Sequence, residues 1–158
     1  MKKALFNICL ILFAFPTWGH DLQKAINKFF PKQIEVYGAK IIGTENTPLN
    51  NIKKAANILN QWLDNNNDGN PDNYLVIDAL IKNNAILVMG QSEDDLENSF
   101  ENLIDVLDEA NIDIDKFENS IVGLMSNEPN IAYLEEILHL VTQVGFANAY
   151  PEVFGEFK

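Results

Sequence analysis

The chain is poor in the residues that carry most thiol and imidazole chemistry. Of its 158 residues one is cysteine and two are histidine. Cys9 lies inside an N-terminal apolar run, so the rest of the chain has no disulfide framework, no thiolate metal site and no thiol nucleophile. Basic residues are also few, 11 against 23 acidic, for a formal charge of −12. That imbalance disfavours nucleic acid and anionic membrane surfaces and favours bound cations. A glycine-rich phosphate loop and a Ser-centred nucleophile elbow are both missing. No internal repeat, low-complexity tract or linker-like stretch breaks the sequence, which points to one domain.

The N-terminus has the layout of a secretory leader. Lys2 and Lys3 precede an apolar run over residues 4–15, followed by Pro16-Thr17-Trp18-Gly19. This reads as a signal peptide over residues 1–19, cleaved before His20. The apolar run is short for a membrane span. Cys9 lacks the small-residue context of a lipoprotein cleavage site and would leave with the leader. Loss of Lys2 and Lys3 moves the formal charge from −12 to −14. The expectation is an exported bacterial protein, secreted or periplasmic, with no membrane attachment after cleavage. Residues 20–158 are then enough for one domain with a sizeable core.

Hydrophobic periodicity gives a coarse map. A helix is expected over residues 21–30, ended by Pro31. Residues 33–44 read as a strand or bent pair, interrupted at Gly38. Thr47-Pro48 signals a helix start, with Thr47 as the capping hydroxyl. That helix would bury Ile52, Ala55, Ala56, Leu59 and Leu63, with Trp62 packed in the core. Asp72 or Asn73 would cap the next helix, which carries Leu75, Ile77, Leu80 and Ile81. A short strand follows over 85–89, then a helix capped by Ser92 and running to about residue 111. The acids at its start suit the positive end of the helix dipole and carry no assigned chemistry. Residues 120–125 read as a strand. A last helix over about 129–144, stopped by Gly145, would bury Leu134, Ile137, Leu138, Val141 and Val144. The fold class expected is α+β, a helix-rich single domain with a few short strands.

The most informative stretch joins the second and third helices. It reads Asp64-Asn65-Asn66-Asn67-Asp68-Gly69-Asn70-Pro71-Asp72. Oxygen side chains stand at its first, third, fifth and ninth positions, and glycine at the sixth permits a sharp turn. Asp64, Asn66, Asp68 and Asp72, with the Asn70 carbonyl, supply what a hard divalent cation needs. The loop, 64–75 when extended to its twelfth position, resembles the calcium loop of EF-hands and the Asp-rich loops of thrombospondin type 3 repeats. The resemblance implies a bound calcium ion. Leu75 stands where the EF-hand has a bidentate glutamate, and Asp78 comes three residues too late. Affinity should therefore fall to the weak, roughly 10⁻⁴–10⁻³ M range of extracellular modules. An Asn/Asp/Gly turn without metal is the plain alternative. Tyr74 follows the loop and could cover the ion.

The last helix contains Leu134-Glu135-Glu136-Ile137-Leu138-His139. It is similar to the His-Glu-x-x-His helix of zincin metallopeptidases, with Glu135 in place of the first histidine. The resemblance implies Glu135 and His139 as ligands to zinc or another divalent transition metal, Glu136 as general base, and a zincin-like architecture. Residues four apart share a helix face, so Glu135 and His139 can reach one ion. Carboxylate for imidazole would shift the preference towards manganese, iron or calcium. Downstream, only Glu152 and Glu156 could supply a third ligand, and residues 150–155 read as the approach to another element, as in a truncated zincin. A Glu–His pair decorating a core helix is the plain alternative. A ferritin-like centre is excluded, since it needs a second Glu-x-x-His motif. Cleavage before His20 would also expose an N-terminal histidine able, with His139, to chelate copper, as in the histidine brace of β-sandwich oxidative enzymes. A third function class is a metal-free structural or interaction protein.

Overall fold

The structure is a computed structural model, and it describes residues 19–112, 115–119, 121–125 and 131–154. Residues 1–18, which hold all but the last residue of the expected signal peptide, and Glu156 lie outside the described residues. The described chain is a helix-rich α+β fold around a four-stranded mixed sheet.

Its elements are α1 (His20–Phe29), β1 (Lys32–Val36), β2 (Ala39–Gly43), α2 (Leu49–Leu63), α3 (Tyr74–Lys82), β3 (Ile86–Met89), α4 (Glu93–Glu109), α5 (Asp115–Glu118), β4 (Ile121–Met125) and α6 (Ile131–His139). A π-helix over Leu140–Phe146 continues α6, and α7 (Ala147–Ala149) and α8 (Pro151–Phe154) follow. The sheet order is β1-β2-β3-β4, with β1 antiparallel to β2 and the other pairs parallel. The expected bent pair is the β1–β2 hairpin. Tyr37 and Gly38 turn it at φ 48° and 88°, the positive values that a tight two-residue hairpin requires. Gly38 also has no room for a side chain, because a Cβ there would lie 2.3 Å from Ile81 Cγ1.

Strand alternation splits the core in two. Ile41, Leu87, Met89 and Met125 face α2, α3, α6 and the π-helix. Ile42, Ile86 and Val88 face α1, α4 and Phe117 of α5. The β2-to-β3 connection thus crosses one face and the β3-to-β4 connection the other, while both step the same way along the sheet. Two such crossovers have opposite hand, so one of them departs from the right-handed rule. The divergence leaves a switch point at the carboxyl ends of β2 and β3.

Several local expectations are corrected. Thr47 does not cap α2: the N-cap is Pro48, and the Thr47 hydroxyl donates to the Met89 carbonyl at 2.9 Å. Trp62 is 49% exposed, not in the core. In α3 the inward residues are Val76, Ile77, Ala79 and Leu80, while Leu75 and Ile81 face solvent. Leu134 and Leu138 are likewise exposed, and Ile137, Leu140 and Val141 are buried. Gly145 does not stop the last helix. It sits buried inside the π segment, where a Cβ would come 2.8 Å from Val76 Cγ1, so glycine here permits close packing on α3.

Candidate functional site: the Asp64–Asp72 loop

The loop leaves α2 at Asp64, the helix C-cap, and its second end is pinned where the Asp72 amide donates to the Leu63 carbonyl at 2.8 Å. Asn73 then caps α3, its side chain accepting from the Leu75 and Val76 amides. Asn67 and Gly69 take positive φ of 56° and 86°. At Gly69 no atom lies within 4 Å of a Cβ position, so the glycine answers to backbone conformation alone.

The side-chain oxygens form a ladder. Asp64 is 2% exposed, and its carboxylate accepts from the Asp68 amide (3.1 Å), the Gly69 amide (3.0 Å) and the Tyr37 hydroxyl (3.0 Å). Asn66 Oδ1 also accepts from the Asp68 amide, and Asp68 Oδ1 accepts from the Asn70 amide and side chain. Asp72 Oδ2 accepts from the Asn65 amide at 2.9 Å. A carboxylate offers about four acceptor positions. After these bonds, Asp64 Oδ1, Asn66 Oδ1, Asp68 Oδ2 and Asp72 Oδ1 each keep at least one acceptor position.

The electrostatics are anionic. Burial, the bond to Asp64 and the charges of Asp64 and Asp68 push the Tyr37 phenol up to about 12. Hydrogen bonds from the Asn70 amide and side chain hold Asp68 below the usual carboxylate range. Asp64 makes no ion pair among the described residues. Nor do three of histidine, cysteine, aspartate and glutamate gather there as a metal-holding group, since Asp64, Asp68 and Asp72 are each turned to different amides. Leu75, the twelfth residue, points its apolar side chain to solvent, as does Tyr74, which is 63% exposed. Beyond them a groove of about 280 Å³ opens between Asp78 and Lys82 of α3 and Asn148 of α7.

The Glu135–His139 pair does form on α6. His139 Nε2 lies 3.8 Å from Glu135 Oε1, and the Gln143 amide sits 2.7 Å from Nδ1 on the other side. Both side chains are well exposed. Glu136 does not join them in a three-residue metal group. It lies on the inward stripe, flat against β4, where a Cβ on Gly123 would be 2.2 Å from Glu136 Oε2. His20 opens α1 on one face of the sheet while α6 packs on the other, so a brace between His20 and His139 does not form.

One polar cluster was not legible in the sequence. At the switch point, Asp95 accepts from the Thr44 hydroxyl, the Gln91 amide (2.8 Å) and the Asn46 side chain (2.8 Å). Burial pushes the Asp95 carboxyl up, but those bonds and the charge of Lys32 outweigh it and hold it low. Lys32 itself donates to the Glu45 and Thr47 carbonyls. The crevice's own side chains thus bond to one another across it. Only the strand-then-Ser92 pattern hinted at it.

Comparison with known proteins found no matching family model, no similar curated protein and no similar solved structure.

Proposed function

We propose that this is an exported calcium-binding protein in which one ion, held by the loop at residues 64–72, stabilises the junction of α2 and α3. The observation that carries the reading is Asp64. Its carboxylate is buried at a helix end and has no cationic partner among the described residues, yet it sits at the root of an oxygen ladder. A buried anion without counter-charge is costly, and a cation in the loop would supply that charge. The donor chemistry fits the ion: Asp64, Asn66, Asp68, Asp72 and the Asn70 carbonyl offer only hard oxygens, which suit calcium and not zinc. Binding would draw Asp68 and Asp72 away from their present amide partners. The test is thermal unfolding in chelator and in calcium, with Asp64→Ala and Asp68→Ala alongside. Calcium should raise the midpoint of the parent and leave both variants unmoved.

A second reading is favoured by the 3.8 Å approach of Glu135 and His139. It makes α6 a transition-metal site, with Glu136 as base of a zincin-like hydrolase. Glu136 would have to leave Gly123 to act. Chelator-sensitive hydrolysis lost in Glu136→Gln, with the fold intact, would support it. A metal-free interaction protein would respond to neither treatment.

A further inference from the structure

The loop's last residue is followed by an asparagine that works in two directions. Asn73 Oδ1 caps α3 through the Leu75 and Val76 amides at 3.1 and 3.3 Å. Its Nδ2 donates to the Tyr150 hydroxyl at 2.9 Å, and that hydroxyl lies 3.3 Å from Oδ1. Tyr150 immediately follows α7, and its ring stacks on Phe146, the last residue of the π-helix, at 6.3 Å between centroids. Val76, in the first turn of α3, is the residue that Gly145 packs against. One polar and one steric contact therefore tie the start of α3 to the π segment.

π winding is rare and occurs mostly as short bulges inside α-helices, often at functional sites, and here it spans seven residues at the end of α6. Its main packing partner is α3, the helix that the loop launches, with α2 and β4 beside it. We infer that the loop at 64–73 and the segment at 140–150 form one cooperative unit, in which a cation in the loop stabilises the π winding of Leu140–Phe146 through Asn73 and Tyr150. The inference rests on the calcium reading for its ligand, though not for the coupling itself. An ion that fixes Asp72 fixes the adjacent Asn73, and with it the partner of Tyr150. Release of Tyr150 lets the segment rewind towards α, which lifts Gly145 from Val76 and changes the turn that presents Gln143 to His139. Coupling of this kind is reciprocal, so weakening the π segment must also weaken binding in the loop.

Hydrogen exchange by mass spectrometry on the full chain tests this, in chelator and in calcium, for the parent and for Tyr150→Phe, which keeps the ring and loses the hydroxyl. Calcium should slow exchange at residues 64–82 and also at 140–150 in the parent. In Tyr150→Phe the second effect should vanish, and calorimetry should show several-fold weaker calcium binding. Calcium that binds and protects the loop while leaving 140–150 unchanged would overturn the inference and spare the calcium reading. If no calcium binds, that reading fails, and the chelator data still decide the coupling. Faster exchange at 64–73 in Tyr150→Phe upholds one cooperative unit, and unchanged exchange there overturns it.

Discussion

Replacing Asp64 by alanine should cost roughly 2–3 kcal/mol of folding stability in the absence of calcium, before any ion is considered. The carboxylate accepts three hydrogen bonds. Bonds to charged groups contribute about 1.5–3 kcal/mol each in favourable settings. They do not add fully here, because water can reach the loop amides of Asp68 and Gly69 once the carboxylate is gone. The Tyr37 hydroxyl also loses its partner, but Tyr37 is only half-buried, so water can replace part of that bond. Urea unfolding followed by far-UV circular dichroism, in chelator, reads this difference. The same titration in roughly 10 mM calcium adds a second term. With a dissociation constant near 1 mM, the parent gains about 1.4 kcal/mol by mass action, and Asp64→Ala gains nothing. A cost below about 0.5 kcal/mol, the ordinary range for surface substitutions, would refute Asp64 as the loop's anchor. A retained calcium gain would refute it as a ligand.

Three further outcomes follow from the same geometry. Tyr37, pushed up to about 12, stabilises the fold below pH 10, and that contribution is lost as pH rises through 12. Ultraviolet titration of the phenols should show one late ionisation that moves down in Asp64→Asn. Asp95, held low, contributes stability above the ordinary carboxylate pKa that is lost on acidification. Acid unfolding below about pH 4 should therefore be shallower in Asp95→Asn than in the parent. Gly123→Ala meets Glu136 and should destabilise by roughly 1 kcal/mol, as overpacking does. Glu136→Ala in the same chain should remove most of that cost, which a double-mutant cycle by urea unfolding would detect.

Much of the backbone was legible in the sequence, and the choice of inward side chains was not. Ser92 caps α4 through the Asp95 amide and Asn73 caps α3, because short polar side chains before an apolar run have a local partner at hand. The strands and the loop's turn residues were likewise set by near neighbours. In α3, Ile77 and Leu80 of the expected apolar residues face in and Leu75 and Ile81 do not, because Tyr-Leu-Val-Ile-Asp-Ala-Leu-Ile is apolar almost all round and its period does not say which stripe is buried. The seat of Gly145 on Val76 decides that, and it is a contact between distant parts of the chain. Glu136 was read by motif as a base. Its place against β4 depends on Gly123, which local pattern could not reveal. Thr47 carried a plausible cap, yet its hydroxyl bonds Met89, 42 residues away. The loop's oxygen-bearing residues are visible in the sequence, but Tyr37 is not, because the hairpin turn brings it onto Asp64 from 27 residues away.

The most direct test of the calcium site is equilibrium dialysis of the chain against roughly millimolar calcium, the range of weak extracellular sites, with trace zinc and manganese, followed by elemental analysis. Asp64→Ala and His139→Ala would be dialysed in parallel. About half a calcium per chain or more is expected, as a dissociation constant near 1 mM or tighter gives at that concentration, lost in Asp64→Ala and retained in His139→Ala, with no transition metal. Calcium absent from the parent, or a transition metal lost with His139, would contradict it.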